Sequence, residues 1–247
     1  MVAVPLTDAQ RERYRRNIDV PGLGETRQER LLDSRVLVVG AGGLGSAALP
    51  YLVAAGVGEI GIADGDVVEL INLQRQVLHR EIGRNKAESA VAQLSGLNPD
   101  VTLTALPKYL DFDHAVELYS GYDLILDCVD KFGAKFMISD AAETAGKPLI
   151  WATAVAMQGQ CSVFGVEDEH GDKLYLRDLH PDEPDADDYP QADGFGILGA
   201  NVAQVGTLQA GEAIKFLAGF GKLLVGKVWV LDSLNNRYSV IPLRKAK

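Results

Sequence analysis

Apolar positions along the chain gather into short β-branched runs that alternate with segments of helical period. Polar, helix-compatible residues fill 8–34 and are interrupted by "DVPGLG" at 19–24, which predicts two short helices forming an arm ahead of the first strand. The run "RVLVVG" ends at Gly40, a helical pattern follows through "LGSAALPYLVAAG", and "EIGIAD" supplies a second strand. The alternation continues with a helix over 86–96, the strand "VTLTAL", a helix at 113–119, the strand "YDLILDCVD", a helix over 131–145 and the strand "PLIWATA". Unbroken apolar strands of this kind belong to a parallel sheet covered on both faces. Beyond them, "GQCSVFGV" and "KLYLRDL" read as strands close in sequence, "ANVAQVGTLQAGEAIKFLAG" as a long helix, and "VWVLDS" with "RYSVIPL" as a closing hairpin-like pair. The expected fold class is therefore α/β: a Rossmann-like, doubly wound, mostly parallel sheet extended by antiparallel strands in the C-terminal half.

Length and composition narrow this picture. A chain of 247 residues without an evident linker or repeat is expected to form a single domain over 1–247, with 1–34 as its N-terminal helical arm. The N-terminus lacks the apolar core of a signal peptide and no apolar run approaches a membrane span, so a soluble, cytoplasmic protein without a membrane partner is expected. The formal net charge of −10 argues against nucleic acid as a partner, because the phosphate interaction that dominates such binding would be repulsive. Cys128 and Cys161, the only cysteines, fall inside apolar strand-like runs and read as buried, reduced thiols.

Candidate chemistry begins at the first turn. Gly40, Gly42 and Gly45 match G-x-G-x-x-G between a strand and a helix, where glycine lets phosphate approach the amides at the positive end of the helix dipole. Asp64 closes the second strand, placed to accept hydrogen bonds from ribose hydroxyls. Alone, the motif suits NAD, FAD, another nucleotide, or a purely structural turn. The next stretch, "DGDVVELINLQRQVLH", adds Asn72, Arg75 and Gln76, and Lys86 follows in "IGRNKAE". The glycine turn already holds a dinucleotide's pyrophosphate, so added fixed cations favour a nucleoside triphosphate, whose β- and γ-phosphates gain charge as pyrophosphate leaves.

Seven stretches, in order, then carry a resemblance: "RYRRN" at 13–17, "VLVVGAGGLGS" at 36–46, "LINLQRQVLH" at 70–79, "GRNKAESA" at 83–90, "LNPDV" at 97–101, "DLILDCVDKF" at 123–132 and "GTLQAGEAIKFLAG" at 206–219. Together they resemble the MoeB/ThiF/HesA family, bacterial relatives of ubiquitin-activating enzymes, over nearly the whole chain. The resemblance implies an ATP- and Mg²⁺-dependent adenylyltransferase acting on the C-terminal glycine of a ubiquitin-like sulfur carrier of the MoaD or ThiS kind. It assigns Gly42 and Gly43 to the nucleotide turn, Asp64 to the ribose, Asn72, Arg75, Gln76 and Lys86 to the phosphates, and Asp130 to Mg²⁺. With Gly40, Gly45 and Asp66 these form the candidate nucleotide site. For Asp130 a helix N-cap is the structural alternative. The resemblance also implies a homodimer in which Arg16 of one subunit reaches the other's ATP site, with Arg15 the alternative. His79 reads as structural.

Several positions depart from the family pattern. Tyr175 and Asp178 occupy cysteine positions of a zinc site and no second cysteine pair follows, so no zinc is expected. Ala192 falls where the family carries its other cysteine, which leaves a covalent thioester or acyl-disulfide step without a nucleophile. The acidic, proline-containing segment 182–193 reads as a solvated loop or a cover for the substrate's tail. Lys131, Lys135 and Ser139 stand where asparagine, arginine and asparagine are common, and are expected to line the adenylate site. Alternatives are adenylation of a peptide or small-molecule carboxylate, an NAD-dependent oxidoreductase, and a nucleotide-binding scaffold without activity.

Overall fold

The computed structural model describes residues 5–184 and 195–245. Two helices, α1 (Asp8–Ile18) and α2 (Gly24–Leu32), precede the first strand, as the sequence predicts. Thr7 starts α1 through a capping box with Gln10, each side chain satisfying the other's backbone N–H. The chain then enters β1 (Arg35–Val39), α3 (Gly43–Ala55) and β2 (Glu59–Ala63), continuing through α4 (Lys86–Leu94), β3 (Thr102–Leu106), α5 (Phe112–Tyr119), β4 (Leu124–Asp127), α6 (Phe132–Thr144) and β5 (Leu149–Val155). Beyond these lie β6 (Gln158–Phe164), the one-turn helix α7 (Leu176–Leu179), α8 (Gly199–Ala218), β7 (Lys227–Asp232) and β8 (Arg237–Pro242).

One eight-stranded sheet runs in the order β3-β2-β1-β4-β5-β6-β7-β8. The first five strands are parallel, and β6, β7 and β8 add to them antiparallel. Alternate side chains feed two cores. Val36 and Val38 of β1 meet α3 and α8 on one face, while Leu37 and Val39 meet α5 and α6 on the other. The direction of winding reverses between β1 and β4, so their carboxyl ends diverge and leave a crevice, the usual ligand position of an open α/β sheet.

Two strand expectations are corrected. "KLYLRDL" is not a strand: only Lys173 pairs, in an isolated bridge to Glu167, and the rest turns into α7. Its cause is local, because the Tyr175 amide donates to the Asp178 carboxylate at 2.8 Å and closes a helical turn. The strand read over 122–130 stops at Asp127, and residues 128–130 leave the sheet to form a wall of the crevice. Of the acidic segment 182–193, residues 185–193 with Ala192 lie outside the described residues. No described helix is long and apolar enough to cross a membrane.

Candidate functional site

The crevice is a cleft of about 250 Å³ built by the segments that follow β1, β2, β3 and β4. The glycine turn supplies one side. Gly40 has φ +98°, and a Cβ there would stand 2.7 Å from the Cys128 carbonyl oxygen, so only glycine fits between the two strand ends. Gly42 precedes α3 without any side-chain cap, which leaves the first amides of that helix available to an anion. Gly45 serves packing instead: a Cβ would lie 2.3 Å from the Gly40 carbonyl oxygen. It is not part of the cleft lining, in contrast to Gly40, Gly42 and Gly43.

The segment after β2 holds the carboxylates. Asp64 accepts from the Ala41 amide at 2.7 Å and from the Asp66 amide at 2.8 Å, which ties the second strand to the glycine turn. Burial raises the Asp64 carboxyl above its usual range, against the lowering effect of those two amides. Asp66 binds Lys86 Nζ at 2.9 Å and accepts from the Tyr109 hydroxyl. Burial opposes its ionisation, but these two donors prevail and hold the Asp66 carboxyl below its usual value. The bond to Asp66 pushes the Tyr109 phenol up to about 12. Lys86 opens α4 and is only 6% exposed, placed there by its N-cap Asn85. Asn85 also donates to the Asp64 and Asp66 carbonyl oxygens at 2.9 and 3.1 Å.

Arg75, Gln76, Lys86, Asp64, Asp66 and Asp130 all line the same cleft. Arg75 donates to the Ile71 carbonyl oxygen at 3.1 Å, and among the described residues no carboxylate neutralises it. Gln76 is 4% exposed, and its buried Oε1 has no hydrogen-bond partner among the described residues, a polar group in the wall that calls for a donor. Asp130 is exposed at the cleft and does not cap a helix; Lys131 occupies the N-cap position of α6, with no side-chain cap.

Other expectations are corrected. Asn72 is buried outside the lining, where its Oδ1 accepts from the Glu69 amide at 3.1 Å and shapes the turn that presents Arg75 and Gln76. Lys135 and Ser139 do not reach the cleft. Lys135 lies beneath it, its ammonium 3.0 and 3.1 Å from the two oxygens of Asp127, and Ser139 accepts from the Leu176 amide at 3.2 Å. In both cases the helical phase of α6 turns the side chain toward the sheet and α7, while Lys131, Ala134, Met137 and Ile138 face the cleft. Arg15 and Arg16, expected to act across a dimer, are exposed on α1 and do not line the cleft of their own chain.

Sequence reasoning missed Lys108, Tyr109 and Leu110, which line the cleft from the loop after β3. Their position beyond the carboxyl end of a parallel strand was the available signal. Cys128 is the buried thiol expected, and it also falls among the residues of the cleft wall, where it donates to Gln209 Oε1 at 3.5 Å and is pushed well up by burial. His79 is the structural brace expected of it. Its Nε2 meets the Ala41 carbonyl oxygen at 2.7 Å and its Nδ1 the Ser89 hydroxyl at 3.0 Å, which puts the proton of the neutral ring on Nε2.

A sequence model of the ThiF family matches residues 14–247. The chain belongs to the ThiF family. Over 235 residues this family member is 43% identical to the probable adenylyltransferase/sulfurtransferase MoeZ of Mycobacterium tuberculosis, an alignment covering 94% of this chain and 60% of MoeZ. It thus spans about three-fifths of the length of that relative. It is 39% identical over 242 residues to the sulfur carrier protein adenylyltransferase of Thermus thermophilus, covering 97% of this chain and 89% of that one. Among solved structures, PaaA superimposes with a TM-score of 0.80 at 23% identity over 100% of this chain and 77% of its own. MccB of E. coli, in its structure with MccA-N7isoASN, gives 0.79 at 20% identity over 97% and 74%. These two likenesses establish the fold, with its mostly parallel sheet extended antiparallel.

Proposed function

We propose that residues 1–247 form the adenylation domain of an ATP-dependent adenylyltransferase that activates the C-terminal glycine carboxylate of a small ubiquitin-like sulfur carrier. The observation that carries this reading is the cleft itself: one crevice gathers the glycine turn, a pair of inner cations and a carboxylate from the end of β4. In this reading the uncapped start of α3 and Gly42–Gly43 receive phosphate, Asp64 the ribose, and Arg75, Gln76 and Lys86 the leaving β- and γ-phosphates. The uncapped helix fits an anionic guest, and the Gln76 oxygen, an acceptor without a partner among the described residues, calls for a donor group on that guest or a cation beside it. Relatives carrying adenylyltransferase in their names agree with it.

The chemistry asks little of the protein beyond placement and charge. An acceptor carboxylate oxygen attacks the α-phosphorus, the bond to the bridging oxygen breaks, and pyrophosphate departs with the electron pair. The nucleophile is already ionised, so no general base is needed, and alignment with charge neutralisation supplies the rate. Asp130 would hold Mg²⁺, which needs only one or two carboxylates beside the phosphates and neutralises them. Lys86 is held ready by Asp66 and exchanges that partner for phosphate.

A homodimer completes the site in this reading, with Arg16 contributed by the second subunit. Two features support it. Among the described residues Arg16 has no ion-pair partner, whereas Arg15 pairs with Glu12 at 3.6 Å. The segment that carries Arg75 also exposes Leu70, Ile71, Val77 and Ile82, each at least 60% accessible, an apolar face suited to burial between copies. Incubation with ATP, Mg²⁺, a Gly-Gly carrier and hydroxylamine tests the acceptor: an activated C-terminus is trapped as the carrier hydroxamate. Trapping on a peptide or small carboxylate, and on no carrier, would overturn the substrate assignment.

A further inference from the structure

Tyr109 stands at the mouth of the cleft with 71% of its surface exposed. Its placement gains little from burial, yet two contacts fix it. The ring rests against Gly65, where a Cβ would come within 2.6 Å of the ring carbon Cδ2, so the missing side chain makes the notch that admits it. The hydroxyl donates to Asp66 Oδ1, on the carboxylate whose other oxygen holds Lys86. Asp66 is joined in turn to Asp64 and Asp64 to the Ala41 amide, so a continuous chain of hydrogen bonds runs from the glycine turn along the wall to this ring. Gly65 separates the carboxylate read as the ribose acceptor from the one that holds Tyr109, which sets the ring beside the sugar position and next to Leu110 in the lining. A polar tip tethered at one end and an apolar body left open to a cleft is how an aromatic side chain offers a face to a ligand.

We propose that Tyr109 contacts the nucleoside half of the bound nucleotide, offering its ring as a stacking wall, with Asp66 as the positioning residue that holds it there. This inference rests on the nucleotide reading of the cleft. Base–aromatic stacking tolerates every base because each has a π-face, so Tyr109 contributes affinity without choosing between purines.

Calorimetric titration of the full chain with ATP and, separately, with inorganic tripolyphosphate tests it, because the second ligand has the charge and lacks the nucleoside. Tyr109→Ala is expected to weaken ATP about tenfold, the loss typical of one stacked base, and to leave tripolyphosphate binding unchanged. Tyr109→Phe keeps the ring but loses the tether, and falls between the two. Because Tyr109 is exposed, neither substitution threatens the core. Wild-type protein that binds neither ligand would overturn the nucleotide reading and this inference with it. Wild-type binding of ATP matched by Tyr109→Ala would overturn the Tyr109 assignment alone. An equal loss for both ligands would also overturn it, since the effect would then run through Asp66 and Lys86 to the phosphates.

Discussion

Replacing Lys135 by methionine tests whether this cation supports the cleft from below or belongs to it. Lys135 and Asp127 are both fully buried, the ammonium within 3.1 Å of both carboxylate oxygens and donating also to the Ala152 carbonyl oxygen. Lys135→Met fills the volume but leaves Asp127 with one described donor, the Val129 amide at 3.1 Å. Breaking a buried pair from one side costs about 3–5 kcal/mol. For a chain of this length each kcal/mol lowers the melting temperature by roughly 2–4 °C, so a fall of about 6–20 °C is expected. The pH dependence has a definite sign. Burial already raises the Asp127 carboxyl despite Lys135, and removing the ammonium raises it further, so the folded variant takes up a proton the unfolded chain does not. The penalty is then largest at neutral pH and shrinks as pH falls through the variant's raised carboxyl value. Adding Asp127→Asn should restore most of the loss at neutral pH, since a carboxamide oxygen still accepts from Val129. Urea unfolding followed by tryptophan fluorescence is a suitable assay, as Trp151 lies 5.9 Å from the ammonium. A loss below about 1 kcal/mol, the range of exposed pairs, would show that Lys135 does not neutralise a buried Asp127, as would a penalty that the second substitution leaves unchanged.

Three further outcomes follow from the same geometry. Gly45→Ala gains about 1 kcal/mol of helix propensity, but its Cβ meets backbone at 2.3 Å, so a net loss on the order of 1–2 kcal/mol in urea melts, with weaker ATP binding, is expected. Burial lowers the His79 imidazole, so the unfolded chain binds a proton that the folded chain refuses. Stability is then complete above the free imidazole value of about 6.5 and declines as pH falls through it; His79→Gln should flatten that slope, and an unchanged slope would count against it. Mixing Arg16→Ala with Lys86→Ala after subunit exchange should restore part of the adenylation activity that each lacks alone, because one mixed site keeps both residues. No restoration would contradict action across the dimer.

The fold was legible because both periodicities are strong here. The apolar runs that close at Gly40 and Asp64 announce parallel strands, the run over 122–130 announces a third that ends three residues earlier, at Asp127, and the stretch that becomes α8 announces a long helix. The stretch read as a strand that forms none, 173–179, is too short for period to decide, and a side-chain-to-backbone bond at Asp178 tips it to a helix. Asp64 was readable from its place at the end of a strand, and Arg75 and Lys86 from the cations that follow it, whereas Asp130 came only with the family resemblance. Asn72 and Lys135 could not be placed, because a polar side chain near a site either faces the ligand or braces the backbone behind it, and that choice depends on helical phase and tertiary neighbours. Tyr109 escaped for the opposite reason. It carries no motif, and only the notch at Gly65 and the bond to Asp66 give its ring a place in the cleft.

Transfer of AMP to a carboxylate in this cleft is read by isotope exchange between pyrophosphate and ATP, with Mg²⁺ and purified carriers ending in Gly-Gly added one at a time, and Asp130→Ala as the control. Exchange is expected to depend on one carrier and to disappear in the control. Tight ATP binding without exchange for any carrier, or exchange that persists in Asp130→Ala, would contradict that transfer.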